Sequence, residues 1–89
     1  MRVEWHPEAQ SDLSKILNYL GDHNLVAALE LHQAIETVTS ALPEYPYLYR
    51  CGRLPGTREI VVHPNYLVVY QVTDQIQILS VLHARQEYP

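Results

Sequence analysis

The sequence predicts an α+β domain in which a helical hairpin packs on a small antiparallel sheet, with the element order β-α-α-β-β-β. A short strand at residues 2–5 is followed by two stretches of helically spaced apolar residues. Three β-branched stretches separated by turn residues fill the second half of the chain. The 89 residues, 47% of them hydrophobic, suffice for one modest core, so residues 1–89 are expected to form a single domain.

The helical hairpin is predicted from apolar spacing and from residues that begin and end helices. Pro7 suits the first turn of a helix, where no backbone N–H is needed, and Gly21 is a natural stop. The first helix is therefore expected to span residues 7–21, with an apolar stripe made of Ala9, Leu13, Ile16, Leu17 and Leu20. Asn24 is a good N-cap for a second helix, which should end before Pro43.

The second helix is apolar over an unusually wide arc, which indicates that it contacts two surfaces at once. Its apolar positions include Leu25, Ala28, Leu29, Leu31, Ile35, Val38 and Leu42. We favour a helix sandwiched between the first helix and the sheet, because a small domain uses every face for its core. An exposed groove for a partner is the alternative.

The second half of the chain predicts a three-stranded antiparallel meander, which the first strand joins. Residues 43–56, rich in Pro, Gly and Tyr, are expected to form an ordered loop. The three strands are predicted at 57–63, 66–72 and 76–83, with turns between them and a polar tail at 84–89. Both faces of the central strand are apolar, so the face away from the helices must be covered or left for a partner.

Composition limits the setting and the function of the protein. Cys51 is the only cysteine, so no internal disulfide can form, which fits a reducing compartment. The charged N-terminus does not resemble a signal peptide, and no apolar run approaches the roughly 20 residues of a membrane span. We therefore expect a cytoplasmic protein that has no membrane partner.

The charge is acidic overall and unevenly distributed. The formal net charge is −4, with Lys15 as the only lysine, which argues against broad affinity for nucleic acids. Residues 1–44 carry seven carboxylates against two basic side chains, a net of −5. Residues 45–89 carry three carboxylates against four arginines, a net of +1. A surface that faces an anion or an acidic partner should therefore lie in the second half.

Three sequence motifs resemble those of a known family. Residues 52–59, Gly-Arg-Leu-Pro-Gly-Thr-Arg-Glu, resemble the G-R-x-x-G-T-R-E signature of ParE-like toxins. Residues 69–72, Val-Tyr-Gln-Val, and 82–86, Leu-His-Ala-Arg-Gln, resemble a strand motif and a C-terminal motif of the RelE/ParE toxin superfamily. The similarity covers residues 3–89 and places the three motifs in the right order on the right elements.

The resemblance implies the toxin of a type II toxin–antitoxin module, neutralised by a cognate antitoxin that wraps it. ParE-like toxins poison DNA gyrase by protein–protein contact, whereas RelE-like toxins cleave mRNA on the ribosome. Ribosome-dependent relatives carry an arginine after the tyrosine of the central strand, but here Leu67 follows Tyr66. This departure favours gyrase as the target. A ribonuclease, or an inactive relative that only binds antitoxin, remains the alternative.

Candidate functional residues follow from the motifs and from residue chemistry. The predicted set for contacts with the antitoxin or target is Tyr49, Arg53, Arg58, Tyr70 and Arg85. Arg58 is expected to pair either with a partner carboxylate or, within the fold, with a carboxylate such as Glu59. For a ribonuclease, the catalytic candidates are His83, Arg85 and Tyr88.

The remaining conspicuous residues are expected to have structural roles. Gly52 and Gly56 should serve the backbone, because no phosphate-binding pattern follows them. No histidine or cysteine spacing predicts a metal site, and no motif predicts a cofactor. Cys51 has no motif that would make it a nucleophile, so we expect it to be inert.

Overall fold

The computed structural model describes residues 1–86, which form two helices and five strands. In chain order the elements are β1 (Val3–Trp5), α1 (Pro7–His23), α2 (Leu25–Ala41), β2 (Arg50–Cys51), β3 (Arg58–His63), β4 (Tyr66–Val72) and β5 (Ile76–His83). The predicted α+β class and the order of the predicted elements are confirmed. The short strand β2 is an addition, since it lies within the segment that the sequence predicts as loop.

The helices begin where the sequence indicates, and the first helix ends later than predicted. Pro7 occupies the first turn of α1. Asn24 caps α2 as expected, because its side-chain oxygen accepts the backbone N–H of Ala27 at 3.1 Å. Helix α1 continues two residues beyond Gly21, because the ring Nδ1–H of His23 donates to the Tyr19 carbonyl at 2.8 Å and satisfies an acceptor of the last turn.

The sheet has the order β1-β5-β4-β3-β2. Its neighbours are antiparallel from β5 to β2, but β1 pairs parallel to β5, with Val3 opposite Ile76. The sheet is therefore mixed rather than wholly antiparallel. The reason is topological: the helical hairpin and the meander between β1 and β5 act as a crossover, which returns the chain in the same direction.

Strand β2 lies at the sheet edge within the segment predicted as loop, and β3 begins at Arg58 rather than at Thr57. Arg50 is paired with Glu59, and Cys51 with Arg58. Two residues are too short for a periodic signal, so β2 is set by its pairing with β3 and not by its own sequence.

The main core lies between the helices and one face of the sheet. Helix α2 contacts both α1 and β3, which confirms the predicted sandwich. Fully buried members of this core include Ala9, Leu31, Ile35, Leu42, Ile60, Val68, Tyr70, Ile76 and Ile78. A second cluster, Leu67, Val69 and Leu82 with the partly buried Leu79, covers the opposite face. Both faces of β4 are therefore apolar, as its sequence predicts.

Candidate functional site

The five predicted contact residues do not form one site. Tyr49, Arg58 and Tyr70 lie together near the end of β4, where Arg58 and Tyr70 are register partners. His83, in the same motif as Arg85, pairs with Tyr66 at the start of β4. Tyr66 and Tyr70 are four residues apart on β4, about 13 Å along an extended strand. The candidates therefore divide between the two ends of the sheet.

The first group is an arginine–tyrosine cluster, which we define as Tyr47, Tyr49, Arg58 and Tyr70. The Nη1 group of Arg58 donates to the carbonyl of Tyr49 at 2.7 Å and to that of Tyr47 at 3.3 Å. Its guanidinium carbon lies 5.1 Å from the centre of the Tyr47 ring, within range of a cation–π contact. Arg58 thus binds backbone carbonyls of the tyrosine-rich loop and not the carboxylate of Glu59.

Tyr70 is the buried centre of this cluster. Its hydroxyl donates to the carbonyl of Pro46 at 2.7 Å, and its ring meets Tyr49 edge-on, with 6.5 Å between the ring centres. Burial raises the pKa of Tyr70, and the nearby Arg58 guanidinium opposes part of that rise. Arg58 and Tyr70 together tie the loop that precedes β2 to the end of the sheet.

Glu59 is a central residue of this end that the sequence did not single out as a site. Its side chain is 3% exposed, and it accepts from the Arg50 Nη2 group and from the Arg53 backbone N–H, both at 3.1 Å. The Arg53 Nε group lies 3.8 Å from the second carboxylate oxygen. The pairing of Arg50 with Glu59 across β2 and β3 brings the charges together, and no periodic signal in the sequence marks it.

The two loop glycines serve the backbone in different ways, Gly56 by the predicted positive φ and Gly52 by a close approach to Thr57. The Gly52 N–H donates to the Thr57 carbonyl at 2.7 Å, and a Cβ at Gly52 would collide with the Thr57 hydroxyl oxygen. Gly56 has a φ of 80°, a conformation that other residues rarely adopt. The glycines therefore shape the turn between β2 and β3, close to where Glu59 holds Arg53.

The opposite end of the sheet carries a histidine row, which we define as His63, Tyr66 and His83 on three adjacent strands. The Tyr66 ring centre lies 5.8 Å from that of His63 and 5.3 Å from that of His83. The Nδ1 atom of His83 accepts the Arg85 N–H at 3.1 Å, and that of His63 accepts the Asn65 N–H at the same distance. Each neutral ring therefore carries its proton on Nε2.

A cleft of about 500 Å³ opens between α1 and the histidine row. It is lined by Asp12, Lys15, Ile16, Tyr19, Tyr66, Val81, His83 and Gln86. The carboxylate of Asp12 accepts the Val81 N–H at 3.1 Å, so it is held against the β5 edge. Arg85 is exposed beside His83, whereas Tyr88, the third catalytic candidate, lies outside the described residues.

Across residues 1–86, no three side chains of His, Cys, Asp or Glu come together in a way that could hold a metal ion. Neither helix in this range has the length and apolar character needed to cross a membrane. Cys51 is exposed at the sheet edge and is unpaired.

Comparison with known families gives a match over almost the whole chain. The family model described as the ParE toxin of the type II toxin–antitoxin system parDE matches residues 3–88. The putative toxin Y4kP of Sinorhizobium fredii is 35% identical over 89 residues, covering 99% of this chain and 93% of the relative. The toxin RelE2 of Caulobacter vibrioides is 35% identical over 86 residues, covering 93% and 94% of the two chains.

The fold also has solved counterparts. A chain from the chromosomal ParDE toxin–antitoxin system of P. aeruginosa superposes with a TM-score of 0.80 and 22% sequence identity. The match covers 93% of this chain and 95% of that one. At this identity the likeness concerns the fold, namely two helices packed on a five-stranded mixed sheet.

Proposed function

Because this chain belongs to the ParE toxin family of type II toxin–antitoxin systems, we propose that it inhibits growth by binding DNA gyrase, as a protein ligand and not as an enzyme. Its neutralising partner is the cognate antitoxin. The observation that carries the proposal is the burial of Leu67, which is 3% exposed in the apolar cluster of the second sheet face. Ribosome-dependent relatives carry an arginine at the matching position.

The chemistry of RNA cleavage explains why this leucine matters. Cutting RNA at the 2′-hydroxyl requires groups that stabilise negative charge on the phosphate and that move protons. On this face Leu67 is joined by Val69 and Leu82, which can do neither. The arginines in and near the arginine–tyrosine cluster already have partners within the protein. Arg50 contacts Glu59, and Arg58 contacts loop carbonyls.

The surface proposed for gyrase is the loop that Arg58 and Tyr70 hold in place. Tyr45, Tyr47 and Leu48 are 59%, 64% and 66% exposed, although each is large and apolar. Interface centres are enriched in tyrosine, and a fixed loop loses little conformational entropy on binding. Arg53 at the neighbouring turn and Arg85 at the far end remain proposed contact residues, whereas Arg58 and Tyr70 support the loop.

A second candidate function is mRNA cleavage, which the cleft beside the histidine row favours. His83 can present an Nε2–H donor there, and the same cleft is lined by Lys15 and by the rings of Tyr19 and Tyr66. A proton donor, a cation and aromatic rings form a set that can contact a phosphate and stack on a base.

One experiment separates the two functions. The protein is induced in cells that lack the antitoxin, and DNA breaks and mRNA cleavage are followed in the same culture. Gyrase-trapped DNA breaks with intact mRNA are the expected result. Early mRNA cleavage with intact DNA would replace the gyrase proposal with the ribonuclease, and unimpaired growth would identify an inactive relative.

Two variants test the proposed surface in that assay. Tyr47→Ser should reduce the breaks strongly, because it removes an exposed ring of the proposed contact loop. Val61→Ser is the matched control, since Val61 is an equally exposed apolar side chain at 59% on β3, outside that loop. Equal loss of activity in both variants at matched expression would reject the loop as the contact surface.

A further inference from the structure

The cleft between α1 and the histidine row, which we call the α1 cleft, contains polar groups that the fold leaves unsatisfied. Tyr66 is 9% exposed, yet its hydroxyl has no hydrogen-bond partner among residues 1–86. In this part of the chain every fully buried side-chain nitrogen or oxygen has a partner, so the Tyr66 hydroxyl lies where the side chain reaches the cleft. An unbonded hydroxyl in so buried a residue points to a ligand.

Two further donors line the same cleft and are also unpaired within residues 1–86. His83 uses Nδ1 to accept the Arg85 N–H, which leaves its Nε2–H free to donate. Lys15, the only lysine, forms no ion pair with a described carboxylate. The His83 ring meets that of Tyr66 edge-on, with 5.3 Å between the ring centres. An ammonium, an imidazole N–H and a phenol O–H therefore line one cleft.

Helix α1 supplies one wall of the cleft. Asp12, Lys15 and Tyr19 share a face of the helix, because they are three and four residues apart. The Asp12 carboxylate accepts the Val81 N–H at 3.1 Å, which fixes this wall against β5. Tyr19 is 61% exposed, and its ring packs against that of His23, with 4.5 Å between the ring centres. The cleft therefore has an aromatic surface that is already held in place.

These groups together select a phosphate monoester that carries an aromatic base. A phosphate offers several acceptor oxygens to donors of different kinds, and its charge complements the Lys15 ammonium. A base can stack on the Tyr19 ring, and the volume of about 500 Å³ lies in the range of small-molecule sites. A long nucleic-acid strand fits less well, because each added phosphate would meet a chain of net charge −4 that has no other lysine.

We propose that the α1 cleft binds a nucleoside 5′-monophosphate. Lys15 and the Nε2–H of His83 hold the phosphate, to which the Tyr66 hydroxyl also donates. The base stacks on Tyr19, and the Oδ1 atom of Asp12 accepts from a ribose hydroxyl. No bond of the nucleotide is broken, and the inference requires neither gyrase nor the ribosome as the target.

Calorimetric titration with adenosine 5′-monophosphate tests the site, and the 5′-monophosphates of guanosine, cytidine and uridine are titrated in parallel. Adenosine and inorganic phosphate are the controls, since each supplies only part of the proposed contacts. We expect the best nucleotide to bind at least about tenfold more tightly than either control, and its affinity to fall at high salt. Absence of saturable binding for all four nucleotides would overturn the proposal, as would an equal affinity for inorganic phosphate.

NMR spectroscopy locates the bound nucleotide. The ring resonances of His83 should shift on titration, because its Nε2–H gains an acceptor. The ring of His6, which is hydrogen-bonded to Gln77 at 2.8 Å and does not line the cleft, is the internal control and should not shift. Equal shifts in the two histidine rings would contradict binding in the α1 cleft.

Variants of the two unpaired donors test the phosphate contacts. Lys15→Ala should weaken nucleotide binding about tenfold or more, whereas Lys15→Arg should retain most of it. Arg2→Ala is the matched control, because it removes a cation that is 78% exposed outside the cleft. Tyr66→Phe keeps the buried ring, removes only the hydroxyl and should weaken binding about threefold or more. Circular dichroism verifies folding, and unchanged affinity in folded Lys15→Ala and Tyr66→Phe would reject the site.

A second pair of variants tests the stacking contact. Tyr19→Ser removes the ring and should bring the affinity for the nucleotide close to that for inorganic phosphate. Tyr45→Ser removes a tyrosine that is similarly exposed, at 59%, in the loop before β2, and should leave the affinity unchanged. An equal effect of the two substitutions would contradict stacking on Tyr19.

A short RNA separates this inference from the ribonuclease alternative. The probe is single-stranded, about 10 nucleotides long and without a 5′-phosphate. We expect it to bind more weakly than the best mononucleotide and to remain intact. Tighter binding of the RNA that is lost in Lys15→Ala would make the cleft a polynucleotide site and overturn the mononucleotide proposal. The induction assay tests the proposed function separately, and its failure leaves the nucleotide measurements unaffected.

Discussion

The two ends of the sheet each contain a tyrosine of β4 that faces the helices, but they use it differently. Tyr70 in the arginine–tyrosine cluster has no exposed surface, and its hydroxyl is bound to the Pro46 carbonyl. Tyr66 in the histidine row is 9% exposed and lines an open cleft. Among residues 1–86, its hydroxyl has no hydrogen-bond partner.

A conspicuous motif can therefore build the scaffold of a site rather than its contact surface. Arg58 has the chemistry of a recognition residue, and the fold uses it to fix a loop. His83 has a modest local role, accepting one backbone N–H, and its other ring nitrogen is left for chemistry or binding. Substitutions of Arg58 and Tyr70 at the first end should therefore cost stability, whereas substitution of His83 at the second end should change it little.

The largest loss of stability is expected from Glu59→Ala. The substitution removes a buried carboxylate, leaving the Arg53 backbone N–H without this acceptor and Arg50 without its ion pair. We expect the free energy of unfolding to fall by about 3 kcal/mol, measured by urea denaturation. Glu44→Ala, at an exposed glutamate, is the control and should change it by less than about 0.5 kcal/mol. Equal effects would mean that Glu59 does not hold the turn.

Arg58→Ala should come next, at about 2 kcal/mol, because two loop carbonyls lose a charged donor. Arg85→Ala removes an exposed arginine at the opposite end and should have little effect on urea unfolding. At matched expression, Arg58→Ala should also relieve growth inhibition more than Cys51→Ala. A stable Arg58→Ala variant that has lost activity would show that Arg58 contacts the target directly.

Tyr70→Phe should cost about 1 kcal/mol at neutral pH, since it removes the hydrogen bond to Pro46. It should also change the alkaline behaviour. Burial raises the pKa of Tyr70 in the folded state, so above about pH 10 the unfolded chain loses this proton first. The free energy of unfolding therefore falls as the pH rises from 10, and the fall should be smaller in Tyr70→Phe. Parallel pH profiles of the two proteins would contradict this account.

The smallest effect on stability is expected from His83→Gln. The ring of His83 is partly exposed, and glutamine retains an acceptor for the Arg85 N–H. The free energy of unfolding should change by no more than about 0.5 kcal/mol. In the induction assay, a gyrase poison should retain its activity in this variant. Loss of mRNA cleavage in a stable His83→Gln protein would instead support the ribonuclease.

The sequence predicted those parts of the fold that have a periodic or a local signal. The apolar stripes, the Asn24 cap and the turns of the meander are such signals, and they gave the helices and the three long strands. Strand β2 and the parallel pairing of β1 depend on contacts between distant residues, which periodicity does not record. The end of α1 was missed because the side chain of His23 extends the helix beyond Gly21.

The candidate site was harder to predict for the same reason. Residue type singled out Arg58 and Tyr70, but their hydrogen-bond partners are loop carbonyls, which every residue carries. Glu59 was considered only as a possible partner of Arg58 within the fold, and its burial follows from the pairing of β3 with β2. An exposed partner groove on α2 was left as an alternative, because a wide apolar arc fits both a buried helix and a partially exposed one.

The parallel pairing of β1 with β5 also sets the order in which the protein can be made. Val3 finds its partner only when Ile76 has been synthesised, so one edge of the sheet stays open during most of translation. Pairing between residues so distant in sequence is slow compared with helix formation. The helical hairpin can form early on the ribosome, whereas the complete sheet forms only near the end of synthesis.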